Sequence, residues 1–95
     1  MANFYFDFPG VQGKFTRKLN VGTKFVNRHA CIAASVVEIS QPQGEALDYP
    51  FIGAATGMAV KNVCPQDDGT VEVVVDTDWN NGPINVRVTL LVNPA

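Results

Sequence analysis

The stretch Thr70–Val92, TVEVVVDTDWNNGPINVRVTLLV, decides the fold class. Its opening sets Val71, Val73 and Val75 on one side and Glu72, Val74 and Asp76 on the other. Its end sets Ile84, Val86, Val88 and Leu90 against Asn85, Arg87, Thr89 and Leu91. A period of two is the signature of a pleated strand, and β-branched residues suit its half-buried surface. Between the two runs, Asn81-Gly82 is a strong turn signal. Upstream, Met58–Val63 reads as another strand, leading into Cys64–Gly69, where Asp68-Gly69 supplies a positive-φ turn. Three consecutive strands joined by short loops predict a C-terminal three-strand antiparallel meander.

The rest of the chain follows the same pattern. Eight Gly and six Pro cut it into short segments. At the start, Phe4, Phe6 and Phe8 alternate with Asn3, Tyr5 and Asp7, and Pro9-Gly10 is expected to end that strand. A second strand is expected over Lys14–Val21, with Phe15, Leu19 and Val21 on one face. Arg17 interrupts that apolar set, which places the strand near a sheet edge. Two readings compete for the middle. Apolar positions 25, 26, 29, 30, 32, 33, 36 and 37 fit helical spacing. The ending Val36-Val37-Glu38-Ile39-Ser40 fits a strand over Cys31–Ser40, which is preferred. Gln41–Tyr49 reads as a surface loop, and the small residues of Phe51–Gly57 as a bent strand entry. The expectation is one all-β domain over residues 1–95, a small antiparallel β-sandwich or barrel of 5–7 strands. The alternative is an α+β domain with one helix near 24–37.

Composition narrows the function classes. The chain is 46% hydrophobic and 17% charged, too apolar and too weakly charged for a disordered segment. No apolar run approaches the ~18 residues of a membrane span, and MANFYFDFPGVQGKF lacks the features of a signal peptide. The expected setting is cytoplasmic or a virion. Two cysteines, Cys31 and Cys64, do not make a disulfide framework, and reduced thiols are the default. No cofactor and no metal are expected.

Side chains that could carry chemistry are few. His29 lies two residues from Cys31, and i, i+2 positions of a strand share a face, so a Cys–His pair is geometrically possible. No G-x-S-x-G or other local signature accompanies it, and packing or surface exposure explains such a histidine more simply. His29, Cys31 and Cys64 lack the spacing of a zinc site. Gly53-Ala-Ala-Thr-Gly57 is no phosphate loop, because no Lys-Ser/Thr follows it. Asp76-Thr-Asp78-Trp79-Asn80-Asn81-Gly82 begins like a calcium loop, with oxygen ligands at alternate positions. Its glycine then comes one residue late, and Arg87 stands where a closing Glu belongs. Trp79 beside Asp76, Asp78 and Asn80 suits a sugar or other small ligand, although it also continues the packed row of Val71, Val73 and Val75.

Charge is the clearest functional signal. Lys14, Arg17, Lys18, Lys24 and Arg28 form a basic stretch without an acid. Asp67, Asp68, Glu72, Asp76 and Asp78 form an acidic stretch without a base, in a chain of net charge −2. Either the two stretches pair within one subunit, or they meet between copies. Nucleic acid is disfavoured as a partner, since Phe15 and Phe25, the aromatic residues of the basic stretch, sit at buried-looking positions. The favoured reading is a non-enzymatic structural or interaction protein that acts by homomeric assembly, as a virion accessory, filament or scaffold subunit. Its interface would join Arg17, Lys18, Lys24 and Arg28 to Asp67, Asp68, Asp76 and Asp78 of another copy. The strand of Phe4, Phe6 and Phe8 would be its apolar anchor. The alternative is a small-ligand or glycan-binding β-sandwich with its site at residues 76–82, with calcium as a candidate aid to binding there.

Overall fold

The computed structural model describes residues 1–94 and holds seven strands and no helix among them. In chain order they are β1 (Ala2–Val11), β2 (Lys14–Asn20), β3 (Cys31–Ser40), β4 (Tyr49–Phe51), β5 (Ala59–Pro65), β6 (Thr70–Asp76) and β7 (Ile84–Asn93). Two antiparallel sheets form, one in the order β1-β7-β3-β4 and the other β2-β6-β5. The molecule is all-β, a small sandwich in which one sheet curls as a half-barrel.

The core lies where the two valine-rich strands face each other. Val71, Val73 and Val75 of β6 and Val86, Val88, Leu90 and Val92 of β7 are fully buried. Each such side chain contributes about 1.5–3 kcal/mol by leaving water. Central strands can be this apolar because both their edges are paired. β1 packs only one edge, against β7, with Phe4 opposite Leu90, Phe6 opposite Val88 and Phe8 opposite Val86. Its phenylalanines therefore pack against the core from the rim and stay half-buried. They meet the other layer edge-to-face, Phe8 on Phe15 of β2 with centroids 6.0 Å apart and Phe4 on Phe25 of the loop after β2 at 5.2 Å.

The preferred strand over Cys31–Ser40 forms as β3, while two expectations need correction and the helical alternative falls. The C-terminal meander does not form: β5 and β6 pair as a hairpin, but β7 crosses to the other sheet and lies between β1 and β3. The connection explains why. The Thr77 N–H donates to the Gly13 carbonyl at 3.0 Å, and the Gly13 N–H donates to the Trp79 carbonyl at 3.2 Å. Asp78 adopts φ +50° between them. These bonds tie residues 77–79 to the β1–β2 corner and turn the chain across the sandwich. Nor does a helix form near 24–37. Phe25 and Val26 dock a loop onto the core, and the chain then runs as β3, hydrogen-bonded to β7 and β4 on its two sides. Their proximity in sequence to β3's inward residues mimics a helical period. Finally, Pro9-Gly10 does not end β1. The strand runs on to Val11 through a register shift between Phe8 and Val11, with Gly10 at φ +65°. An edge strand tolerates the missing proline N–H.

Candidate functional site

The basic and acidic stretches are neighbours in one subunit. β2 pairs with β6 in a register that sets Lys14 opposite Asp76 and Lys18 opposite Glu72. Opposite charges at such positions support a sheet. Arg28 forms an ion pair with Asp67 at 2.6 Å, and its N–H donates to the other carboxylate oxygen at 2.9 Å. The hydrogen bond from Arg28 holds the Asp67 carboxyl below the usual carboxylate range. Asp68 is also lowered, chiefly because it accepts from the Thr70 hydroxyl, with Lys18 adding to the effect. Charge complementarity between copies thus loses much of its support, because the complement is met inside the chain. Arg17 and Lys24 have another use. The Arg17 guanidinium lies 5.0 Å from the Phe15 ring centroid and 5.8 Å from that of Phe8, roofing the seam between β1 and β2. The Lys24 ammonium lies 5.6 Å from the Phe25 ring.

Residues 76–82 are occupied with their own geometry. Asp76 Oδ1 accepts from the Asp78 N–H at 2.9 Å, an Asx turn of the kind Asp commonly makes. The buried Thr77 hydroxyl donates to the Gly13 carbonyl at 3.0 Å, and Gln12 Nε2 donates to the Asn80 carbonyl at 3.1 Å. Trp79 is half-buried beside them. Among the described residues no group of three His, Cys, Asp or Glu side chains is placed to hold a metal ion. His29, Cys31 and Cys64 are exposed, and Cys31 opens β3 in one sheet while Cys64 lies in β5 of the other.

The four sheet edges differ in how they are protected. Exposed strand edges invite pairing with other chains, and proteins blunt them with lysines, prolines, bulges or short length. β2 carries Lys14, Arg17 and Lys18. β5 has a register shift between Val60 and Asn62, with Lys61 at the shift. β4 is three residues long and contains Pro50. β1 is different. Over Ala2–Phe8 it carries no lysine, arginine, proline or bulge. Its one charge, Asp7, accepts from Arg87 at 2.7 Å and 3.0 Å. Arg87 is also held by Asp48 and lies 4.5 Å from the Tyr5 ring, and these carboxylates raise its already high pKa further. Over Ala2–Phe8 the β1 edge is therefore open, backed by the half-buried row of Phe4, Phe6 and Phe8, while Pro9, the register shift after Phe8 and the Arg17 guanidinium over the Phe8 ring guard its far end.

Two groups were not singled out by the sequence. Arg87 reads as an outward strand residue, and its partner Asp7 is 80 positions away. Glu38 is opposite Val86 and Phe51, on the inward-facing row of β3 with Ile32, Ala34 and Val36. The period of two that defines β3 contained this signal, since Glu38 has the same parity as those residues.

Compared with protein-family models, curated proteins and solved structures, the chain matches none of them. Among the described residues no helix is long and apolar enough to cross a membrane.

Proposed function

We propose that this protein is a structural subunit, without catalytic activity, that works by homomeric assembly through the β1 edge. A virion accessory or scaffold is the setting in which such a dimer serves, and a filament would need a second, head-to-tail interface besides β1. The Ala2–Phe8 edge carries this reading, because it is free of lysine, arginine, proline and bulge, and on β1 such guards come only at Pro9 and the register shift after Phe8. An antiparallel β1–β1 pair about a two-fold axis keeps residue parity. Phenylalanine then meets phenylalanine on the core side, and the two Asp7 side chains stay apart when the axis passes near Tyr5 or Phe6. Aromatic cross-strand pairs of this kind add about 0.2–1 kcal/mol each, and an isologous contact closes as a dimer.

Light scattering tests the reading on the whole chain. The wild type is expected at a multiple of its 10.3 kDa chain mass. The double variant Asn3→Lys, Tyr5→Lys places gatekeeper charges at two exposed edge positions and is expected to run at the chain mass. Circular dichroism would show that it keeps its β structure. A wild-type monomer at every concentration reached would end the assembly reading.

A further inference from the structure

Asn81-Gly82 is the one Asn-Gly pair in the chain, and the fold denies it the role its sequence suggests. In a hairpin such a pair closes the turn, and the strand ladder holds its main chain. Here β6 and β7 lie in different sheets, so no ladder closes over it. The loop is anchored on either side instead. Before the pair, the Trp79 carbonyl accepts the Gly13 N–H and the Asn80 carbonyl accepts from Gln12 Nε2. After it, Ile84 pairs with Val11, and Asn85 Oδ1 accepts the Gly10 N–H at 2.9 Å. Between these anchors, among the described residues, no hydrogen bond uses the Gly82 N–H or the Asn81 side chain. Asn81 is exposed, and nothing lies within 4 Å of where a Cβ on Gly82 would stand.

An asparagine before a glycine carries an electrophile and a nucleophile on one short tether. Joining the Asn81 side-chain amide carbon to the Gly82 nitrogen closes a five-membered ring, and such intramolecular closures are fast where the torsions are free. Glycine helps because no side chain shields its nitrogen or restricts its rotation. Gly82 has φ +139°, which other residues rarely adopt. The backbone thus requires the very residue that leaves the nitrogen open. Comparable positions are tied down. At Asp68-Gly69 the Gly69 N–H donates to the Gln66 carbonyl at 3.2 Å. Asp68 Oδ1 accepts from the Thr70 N–H at 3.0 Å and from its hydroxyl at 2.6 Å. Asn27, Asn62 and Asn85 each have Oδ1 held by a main-chain N–H, and a larger residue follows each of them.

We infer that Asn81 is a site of spontaneous deamidation in the folded protein. The Gly82 nitrogen attacks the Asn81 side-chain carbonyl carbon and forms the new C–N bond. The bond from that carbon to the side-chain nitrogen breaks, and ammonia leaves with the proton that Gly82 gives up. Water then opens the succinimide ring at either carbonyl, giving aspartate or isoaspartate. Nothing is oxidised or reduced, and water is the one co-reactant. Each event makes the chain one unit more negative than its net charge of −2, in a loop that already carries Asp76 and Asp78. The anchors at Trp79, Asn80 and Ile84 lie outside the altered bond, so the sandwich is expected to keep its fold. The site does not depend on assembly through β1.

Incubation of the intact chain at mildly alkaline pH, native and unfolded in urea, tests it by ion exchange and mass spectrometry. A more acidic form is expected to accumulate, heavier by the exchange of an amide NH2 for OH. Peptide mapping is expected to place aspartate and isoaspartate at position 81, the latter confirmed by labelling with an isoaspartyl methyltransferase. The native rate is expected within about tenfold of the unfolded rate, because the loop is free where the ring closes. Asn81→Gln is expected to lose the acidic form, since its closure needs a six-membered ring. A native chain that stays unmodified, or reacts more than about tenfold slower than the unfolded one, overturns the inference. So does a native modification that maps elsewhere or persists in Asn81→Gln. If that variant fails to fold, the mapping and the rate comparison on the wild-type chain decide the matter alone.

Discussion

At Gly69 the backbone has φ +84°, and a Cβ there would lie 2.5 Å from both the Gly22 carbonyl carbon and the Thr23 nitrogen. The Gly69 carbonyl also accepts the N–H groups of Val21 and Gly22, at 3.1 Å and 2.9 Å. One glycine thus presses the segment after β2 against the β5–β6 hairpin, and any side chain would separate them. Gly69→Ala combines a left-handed backbone with a backbone clash and is expected to cost roughly 3 kcal/mol in urea unfolding. The neighbouring carboxylates give the acid limb of stability its sign. Asp67 and Asp68 have folded pKa values lowered by Arg28 and Thr70 respectively. Their contribution is complete above the ordinary carboxylate pKa of about 3.9 and is lost as pH falls through their lower folded values. Stability is therefore expected to drop as pH falls below the ordinary carboxylate range of about 3.9. Asp67→Asn should flatten that drop in urea midpoints measured across the range. An unchanged slope would remove Asp67 from the account. The effect is small in size, because both groups stay in water and salt screens them.

The elements divide by how many of their edges and faces are covered. β6 and β7 are flanked on both sides in their sheets, and the core lies between them. Leu90→Ala, at a fully buried β7 position, is expected to cost about 2–5 kcal/mol. That is a large share of the roughly 5–14 kcal/mol usual for a domain of this length, and thermal unfolding would show it directly. Strong alternation made these strands readable in the sequence, and β3 was readable once its end was taken over its middle. Arg17 correctly marked β2 as an edge. Partner choice was not readable in the same way. Val71, Val73 and Val75 look alike whether β7 lies beside β6 or across the core from it. What separates the two is the clasp of Gly13 with Thr77 and Trp79, made between residues 64 and 66 apart in the chain. The register of β2 on β6 was hidden for the same reason, and with it the pairing of Lys14 and Lys18 with their acidic partners. Charge segregation along the chain was visible; where the charges would meet was not.

For the whole molecule, the position of β2 over β1 fixes how assembly must respond to salt. The molecule measures 40 × 27 × 16 Å, and the Arg17 and Phe15 contacts with Phe8 place the two edge strands on the same side. A two-fold joining β1 to β1 therefore brings β2 towards β2, each carrying Lys14, Arg17 and Lys18. Like charges oppose that approach, and the apolar strand pairing must outweigh them. Screening removes the repulsion as the Debye length falls from about 30 Å at 0.01 M to about 8 Å at 0.15 M. Hydrophobic contact and main-chain hydrogen bonds lose little over the same range. Association through β1 is thus expected to strengthen with added salt, by sedimentation at fixed protein concentration. An interface joining the basic stretch of one copy to the acidic stretch of another responds in the opposite sense, weakening as salt rises. Neutralising Lys14 and Lys18 to Gln separates the effects further. It leaves Arg17 as the one charge on each β2, which weakens the repulsion between copies and its salt dependence, while removing the cross-strand partners of Asp76 and Glu72 inside each subunit. The variant is expected to be less stable as a fold and more associated at low salt. A wild-type complex that dissociates on adding salt would transfer the interface from β1 to the charged strands.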